Sequence, residues 1–590
     1  MITLHKFLLK TDERLTLSSL TPNPSIMDNN NFLLAVVLSI AILVGFHYLY
    51  EKPQMQAVQQ QLSLAKQEEK KPDVAPVAPT PPRERAEILA ENKRIAIETP
   101  ELRGSINLKG ARLDDLDLVK YHETTEPGSP EIVLLSPAGS APPHQAYYAA
   151  FGWLDGDAPV PNDDTMWQSD SKTLTPEKPA TLTWDNGKGL TFERTIAVDD
   201  HFMFTITDRV KNGGTGTVTL YPFGLIARHG KPPTRDIYIM HEGPIGVLGG
   251  TLKEVKYKDL IADPKKTFES DDGWLGITDK YWLVTLIPAH DEKLTATFTY
   301  ERGAESNPDQ GVFQTDFRGT PVSLGAGATT EHTLHVFAGA KRVRFLDKYE
   351  DRYNIPLFDR AIDFGWYYYL TKPFLYLLDY LGNAFGNYGW AILAFTILLK
   401  LLTLPLSLKS YRSMARMKAL QPEMKALQER FKDDRQKLSM ETMELYKREK
   451  VNPLSGCLPN LIQIPIFFAL YKVLYVGIEL RHAPLFGWIH DLSAPDPTSV
   501  LTLFGAIDLS FIPQIGVWPI LMGISMFMQQ RLSPTPPDKT QAQVFMYLPL
   551  IFTFMMAKVA VGLIVYWTIS NILGLGQQWF IMHKAGGRKT

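Results

Sequence analysis

Cysteine is almost missing. Cys457 stands alone among 590 residues, so no disulfide can form within the chain and no compartment can be read from a disulfide framework. With no His or Cys partner at motif spacing, it reads as a small buried hydrophobe at the head of an apolar run rather than as a reactive thiol. An H-E-x-x-H pair, a nucleophile elbow and a P-loop are also absent, which leaves hydrolase and ATPase chemistry without support. Most telling is that the apolar runs of the last third contain no Asp or Glu, whereas ion-coupled carriers commonly rely on intramembrane carboxylates. The net charge of −2 suggests a soluble chain, but that average blends a polar part with a greasy one.

At this length two or more domains are expected. Residues 1–31 are polar and read as a cytoplasmic segment, within which Met27, followed by Asp-Asn-Asn-Asn, is a candidate start. The run FLLAVVLSIAILVGFHYLY at 32–50 has 19 residues, enough at roughly 1.5 Å each to cross a hydrocarbon core of about 30 Å. No small-x-small site precedes Glu51, so an uncleaved anchor is expected rather than a signal peptide. Residues 51–94, rich in Gln, Ala and Pro, read as a solvated linker.

From 95 to 355 short alternating stretches (FMFTITDRV, GTVTLYPF, YWLVTLIPA, LTATFTYE) are separated by turn signals such as Asp185-Asn186-Gly187 and Asn212-Gly213-Gly214, which predicts an all-β sandwich. Residues 356–384 mix aromatics with charges and suit an amphipathic helix lying in the membrane interface. The remainder, 385–582, carries apolar runs at about 388–408, 457–478, 515–531, 544–560 and 562–582, six spans with the first, and ends in a basic tail at 583–590. The stretch 499–517 (LTLFGAIDLSFIP within it) leaves the start of the fourth span open.

The segment Lys409–Lys450 holds twelve Lys and Arg, whereas Glu479–Gln514 has Arg481 alone. Positive charge marks the cytoplasmic side. Alternation then puts the N-terminus and the tail inside and the β domain outside, in the periplasm of a Gram-negative cell. Within 409–455, Met417, Leu420, Met424, Leu427 and Phe431 alternate spacings of three and four before a Lys432-Asp433-Asp434-Arg435 turn, which describes a helical hairpin. Its basic surface suits lipid headgroups, ribosomal RNA or a targeting partner, or is simply a solvated face.

Lys400 lies about ten residues from either end of AILAFTILLKLLTLPLSL, near mid-membrane, where a charge costs several kcal/mol unless it meets water or a partner. Thr396, Lys400, Thr403 and Ser407 share one helical face. Polar stripes on other spans match it: Asn460 and Gln463; Ser525, Gln529 and Gln530; Ser570, Asn571, Gln577 and Gln578. Together they describe a hydrated groove, although each amide or hydroxyl taken alone could simply bond a neighbouring helix. A cationic groove without internal anions suits a polar or acidic guest whose apolar part leaves sideways into lipid. Met522, Met526, Met528, Met546, Met555 and Met556 suit guests of varied shape, or ordinary membrane packing equally well.

The segments TILLKLLTLPLSLKSYRSMARMKALQPEMKALQERF, ELRHAPLFGWIHDLSAPDP, SMFMQQRLSPTPPD and GLIVYWTISNILGLGQQ, in this order, together with the opening MDNNNFLLAVVLSIAI, resemble the YidC/Oxa/Alb family of membrane insertases in its Gram-negative form. The resemblance implies a five-helix core with a hydrophilic groove open to cytoplasm and lipid, and a periplasmic β-supersandwich related to sugar-binding folds. The family's groove arginine falls on Lys400, which keeps the charge but not bidentate pairing. By the same resemblance Gln530, Trp567 and Thr396 belong to the groove, and Phe467, Phe468, Phe552 and Met556 to the surface that meets a guest helix. The implied partners are nascent membrane proteins, the Sec translocon, ribosomes and signal-recognition components at the hairpin, and membrane lipids. No enzymatic activity and no cofactor are expected.

Two other classes remain open. A secondary transporter would use the spans and Lys400 for solute movement. A membrane-anchored carbohydrate enzyme would use carboxylates of the β domain such as Glu242 or Asp271.

Overall fold

The structure is a computed structural model that describes residues 72–155, 158–232, 240–290, 292–303, 307–432, 434–451, 458–500, 514–533 and 539–586. The expected first span at 32–50, the segment before it, Met27, Cys457, Asp433 and the stretch 501–513 lie outside these residues. The chain divides into two compact units; of the described residues, those of 419–452 belong to the smaller and the rest to the larger.

Two sheets build the first half of the larger unit, one of eleven strands and one of nine, paired almost wholly antiparallel. Their patterning explains why they face each other. In the strand Met203–Asn212 the side chains alternate between buried and half-buried or exposed positions from Phe204 to Lys211, and its register against Thr329–Ala340 and Leu190–Val198 aligns Ile206 with both Leu334 and Ile196. Phe204, Leu286 and Phe337 from one sheet and Phe298, Phe313 and Phe317 from the other share a single buried cluster. Arg194, almost fully buried, holds Asp208 through two bonds of 2.6 and 2.8 Å and reaches across to the Phe151 carbonyl at 2.7 Å. The expected turns are present: Asp185 Oδ1 accepts from the Gly187 amide at 2.8 Å, and Asn212 Oδ1 from the Gly214 amide at 3.0 Å.

The reading of 51–94 as a solvated linker requires correction where it is described. Residues 72–83 lie along the outer face of the eleven-stranded sheet. Val74 is buried against Tyr148, Leu225 and Val312, the Val77 amide donates to Gln314 Oε1 at 2.9 Å, and Arg318 donates to the Pro72 carbonyl at 2.7 Å. A short helix α1 (Arg85–Ala90) follows, and the first strand starts at Arg94. This strap explains why the strand Val312–Arg318 is buried almost throughout: Phe313 and Phe317 face the other sheet, and Gln314 faces the strap.

A second short helix, α2 (Tyr257–Ala262), closes the sheet end, and α3 (Val343–Tyr353) leads out of the sandwich. The expected interfacial helix over 356–384 is helical only as α4 (Tyr368–Phe385). Residues 356–367 instead form a 3-10 turn at Phe358–Ala361 and an irregular stretch, with Phe358, Ala361, Ile362 and Phe364 buried. Buried Asp359 is the reason. Lys372 of α4 donates to Asp359 at 2.7 Å and to Asp347 of α3 at 2.9 Å, and the Tyr368 hydroxyl adds a 2.5 Å bond to Asp359.

Five apolar helices complete the larger unit. They are α5 (Tyr388–Ala419) and, beyond α6 (Gln421–Arg430) and α7 (Arg435–Arg448), α8 (Leu458–Val476), α9 (Val517–Leu532), α10 (Lys539–Met556) and α11 (Val561–Gly586). Among the described residues α5 alone is long and apolar enough to cross a membrane; the apolar parts of α8 and α10 are shorter. Its helix runs eleven residues past the expected end at 408, so the hairpin is confined to 421–448. Pro422, at the start of α6, marks the break, since proline fits a first turn but not a helix interior. Within the smaller unit the Tyr446 hydroxyl contacts Met424 Sδ at 3.2 Å and Arg448 pairs with Glu423 at 3.0 Å, joining α6 to α7.

Candidate functional site

A cavity of about 1300 Å³ lies among α5, α8, α9, α10 and α11. Its position follows from the helix faces. On α5, Ile397, Leu398, Leu401 and Leu402 are exposed on the outside, while Lys400, Thr403, Ser407 and Tyr411 line the cavity. The i, i+3, i+7, i+11 spacing puts these four on one stripe. Thr403 and Ser407 turn their hydroxyls to the carbonyls of Leu399 and Thr403, at 2.8 and 3.1 Å, so the Lys400 ammonium is the stripe's dominant polar group.

Lys400 is half-buried and forms no ion pair among the described residues. A Cβ placed on Gly574 of α11 would lie 3.8 Å from Lys400 Nζ, 3.4 Å from the Tyr411 hydroxyl and 3.3 Å from Gln529 Nε2. The missing side chain at Gly574 thus gives the ammonium room beside two polar neighbours.

Of the residues singled out in the sequence, Lys400, Thr403, Gln463, Gln530, Trp567, Asn571, Phe467, Phe468, Phe552 and Met556 all line this cavity. Thr396 does not. It is fully buried one turn deeper and donates to the Ile392 carbonyl at 2.7 Å; α5 packs against the bundle there, and the stripe opens only from Lys400 onward. Gln463 bonds the Tyr566 hydroxyl, tying α8 to α11. Gln530 bonds the Phe545 carbonyl, tying α9 to α10. Trp567 stands between Phe467, at 4.7 Å between ring centroids, and Phe552, at 5.4 Å, both near edge-on. Of the six methionines, Met526, Met546, Met555 and Met556 line the cavity, Met522 is core and Met528 is exposed. Asn460 has no described side chain.

Arg531 also lines the cavity, beside Phe527 at 4.9 Å, and sequence reasoning missed it. Its place in the last turn of α9 was the available signal, since a helix C-terminus favours a cation. Gln578, fully buried, lines the cavity with neither its amide nitrogen nor its oxygen bonded, and buried amides of this kind call for water or a guest. Among the described residues no carboxylate lines the cavity and no cluster suited to a metal ion occurs.

The α9–α10 seam is tight: a Cβ on Gly523 would come within 2.1 Å of Thr553 Oγ1. Only glycine permits that approach.

A two-sheet domain followed by apolar helices around a cavity whose described lining holds cations and no carboxylate fits the class of multi-domain membrane proteins. Residues 94–377 match the family described as YidC periplasmic domain, and residues 380–588 the family described as 60Kd inner membrane protein. A membrane protein insertase YidC of Methylobacterium radiotolerans is 47% identical over 596 residues, covering 95% of each chain. One of Methylobacterium nodulans is 48% identical over 586 residues, covering 95% of this chain and 96% of its own. A crystal structure of an active YidC insertase with its first transmembrane domain resolved shares 16% identity over 85% of this chain and 93% of its own, with a TM-score of 0.34. The chain belongs to the YidC family of membrane protein insertases. It is accordingly an inner-membrane protein with a periplasmic domain.

Proposed function

We propose that this protein receives a hydrophilic segment of a nascent membrane protein in the cavity around Lys400 and releases the adjoining apolar helix into the inner membrane, alone or with the Sec translocon. The observation that carries this reading is a chamber whose described lining holds Lys400, Arg531 and several amides and no carboxylate. Such a chamber lowers the cost of drawing a polar segment to membrane depth and attracts acidic ones. Nothing in this action requires a covalent step or a cofactor. The proposed topology has six spans, with the N-terminus and basic tail in the cytoplasm and the β domain in the periplasm. The α6–α7 hairpin then faces the cytoplasm, where its basic residues suit ribosomal RNA, signal-recognition components or anionic lipid.

The test is rescue of a host depleted of its own insertase, scored by protease accessibility of a small client with a short acidic periplasmic tail. Wild type should restore insertion and Lys400→Ala should restore it several-fold less well. Equal rescue removes Lys400 from the mechanism. No rescue by folded, membrane-embedded wild type overturns the reading and favours a transporter.

A further inference from the structure

A second cavity, of about 540 Å³, lies where the β domain meets the ends of α5 and α8. It is lined by the strand end and loop 120–128, by Arg342 before α3, by Tyr388 in the first turn of α5, and by residues 478–482 just beyond α8. If α5 crosses the bilayer, Tyr388 marks headgroup depth on the β-domain side.

The charges are unbalanced. Lys120 is neutralised by Glu101 at 2.9 Å. Arg342 rests on the Phe345 ring, 4.5 Å from its centroid. Arg481 is oriented by the His122 carbonyl at 2.6 Å and stands over the Trp282 ring at 5.5 Å. Neither arginine has a carboxylate in ion-pair distance among the described residues. His122 and His482 also line it. Of the two lining acids, Glu126 is an exposed loop residue and Glu479 is drawn inward.

Glu479 supplies an independent observation. Its Oε1 accepts from the Val343 amide at 3.2 Å, while its Oε2 is buried with no partner. Burial, reinforced by Asp379, pushes its carboxyl up to about 7, so near neutrality it opposes an anion in this cavity less than an ordinary carboxylate would. An anion in the cavity would satisfy both guanidinium groups. Strain points to the same place: His482 is held at φ +56°, a conformation that costs a non-glycine residue and clusters at binding sites.

We propose that the cavity bounded by Arg342, Arg481 and Glu479 binds a phosphate-bearing anion of the outer headgroup layer. Arginine forks suit phosphate oxygens, and about 540 Å³ exceeds a bare phosphate and leaves room for a glycerophosphate headgroup. The site would fasten the β domain to the lipid surface beside the root of α5.

The experiment uses the full chain in detergent, titrated separately with short-chain phosphatidylglycerol and with inorganic phosphate while its unfolding temperature is followed by tryptophan fluorescence. A saturable rise is expected for wild type, with Arg342→Gln and Arg342→Gln/Arg481→Gln each needing about tenfold or more ligand, and Glu479→Gln, which keeps a neutral donor, close to wild type. Saturation by the lipid alone assigns the headgroup; saturation by inorganic phosphate at similar concentration assigns the free ion, and either supports the phosphate site. Absence of a saturable rise in monodisperse wild type, or identical curves for Arg342→Gln and wild type, overturns it. Because Arg342→Gln removes only a side chain resting on a ring, this arm stands even if the double variant fails to fold. None of these outcomes bears on the Lys400 rescue, so the two readings fail separately.

Discussion

Asn571 donates its side-chain amide to the Ser525 hydroxyl at 3.1 Å, joining α11 to α9 at the wall of the Lys400 cavity. Hydrogen bonds of this kind between apolar helices contribute about 0.6 kcal/mol on average and rarely much above 1.5. Asn571→Leu should lower the unfolding temperature in detergent by a few degrees. Ser525→Ala should do likewise, and the double variant should cost less than the two together, because the second change no longer orphans a partner. Strict additivity would show that the bond contributes nothing.

Trp567 closes the same wall between two phenylalanines. Edge-on aromatic pairs contribute about 0.5–1.5 kcal/mol each beyond burial, so Trp567→Ala should destabilise and also lower client insertion several-fold, whereas Trp567→Phe should keep most of both. Insertion at wild-type rate by Trp567→Ala, at equal membrane levels, would exclude the ring from guest handling.

Lys372 bridges Asp347 and buried Asp359. Removing it leaves two facing carboxylates, and breaking such a buried arrangement costs about 3–5 kcal/mol, less here because Lys372 is partly solvated. Lys372→Met should lower denaturation midpoints clearly, and adding Asp359→Asn should recover part of the loss. A neutral effect of Lys372→Met would mean that α4 does not depend on this pairing.

Burial pushes His241 down to about 4, below its ordinary value of 6.5, with its Nε2 bonded to the Pro244 carbonyl. Between these values the unfolded chain binds a proton that the folded chain refuses, so this contribution is intact above about pH 6.5 and is lost as pH falls towards 4. The loss is of order 1–3 kcal/mol. His229 and His335, also lowered to about 4 by burial, act in the same direction, while Asp316, raised to about 7, acts against them. His241→Gln should therefore flatten the acid slope of thermal stability between pH 6.5 and 4.5 relative to wild type; parallel slopes would refute the assignment.

The strands were legible because period-two patterning is local: FMFTITDRV, GTVTLYPF, YWLVTLIPA and LTATFTYE each fall on an observed strand. The stripe from Lys400 to Ser407 was legible from helical spacing for the same reason. What escaped depends on distant partners. Proline-rich composition says that residues 72–83 cannot form a core alone, not that Gln314 and Arg318 wait to bind them. Asp359 gives no local sign that Lys372, thirteen residues on, will hold it inside the β domain and delay the start of α4. Thr396 shares a helical face with Lys400, but the depth at which α5 emerges from its neighbours is set by packing. Arg531 escaped because it closes the apolar run at 515–531, and nothing local shows that this end borders the cavity.

The contact at Gly523 and Thr553 bears on how a guest can leave. With Gly523 pressed against the Thr553 side chain there, α9 and α10 cannot part without losing the contact, so on the proposed function that seam would act as the fixed jamb of a doorway. On the proposed function the movable leaf would be α8, whose Leu461, Ile464 and Phe468 face outward. A helix departing on that path would slide along a greasy edge and leave Lys400 behind with the water.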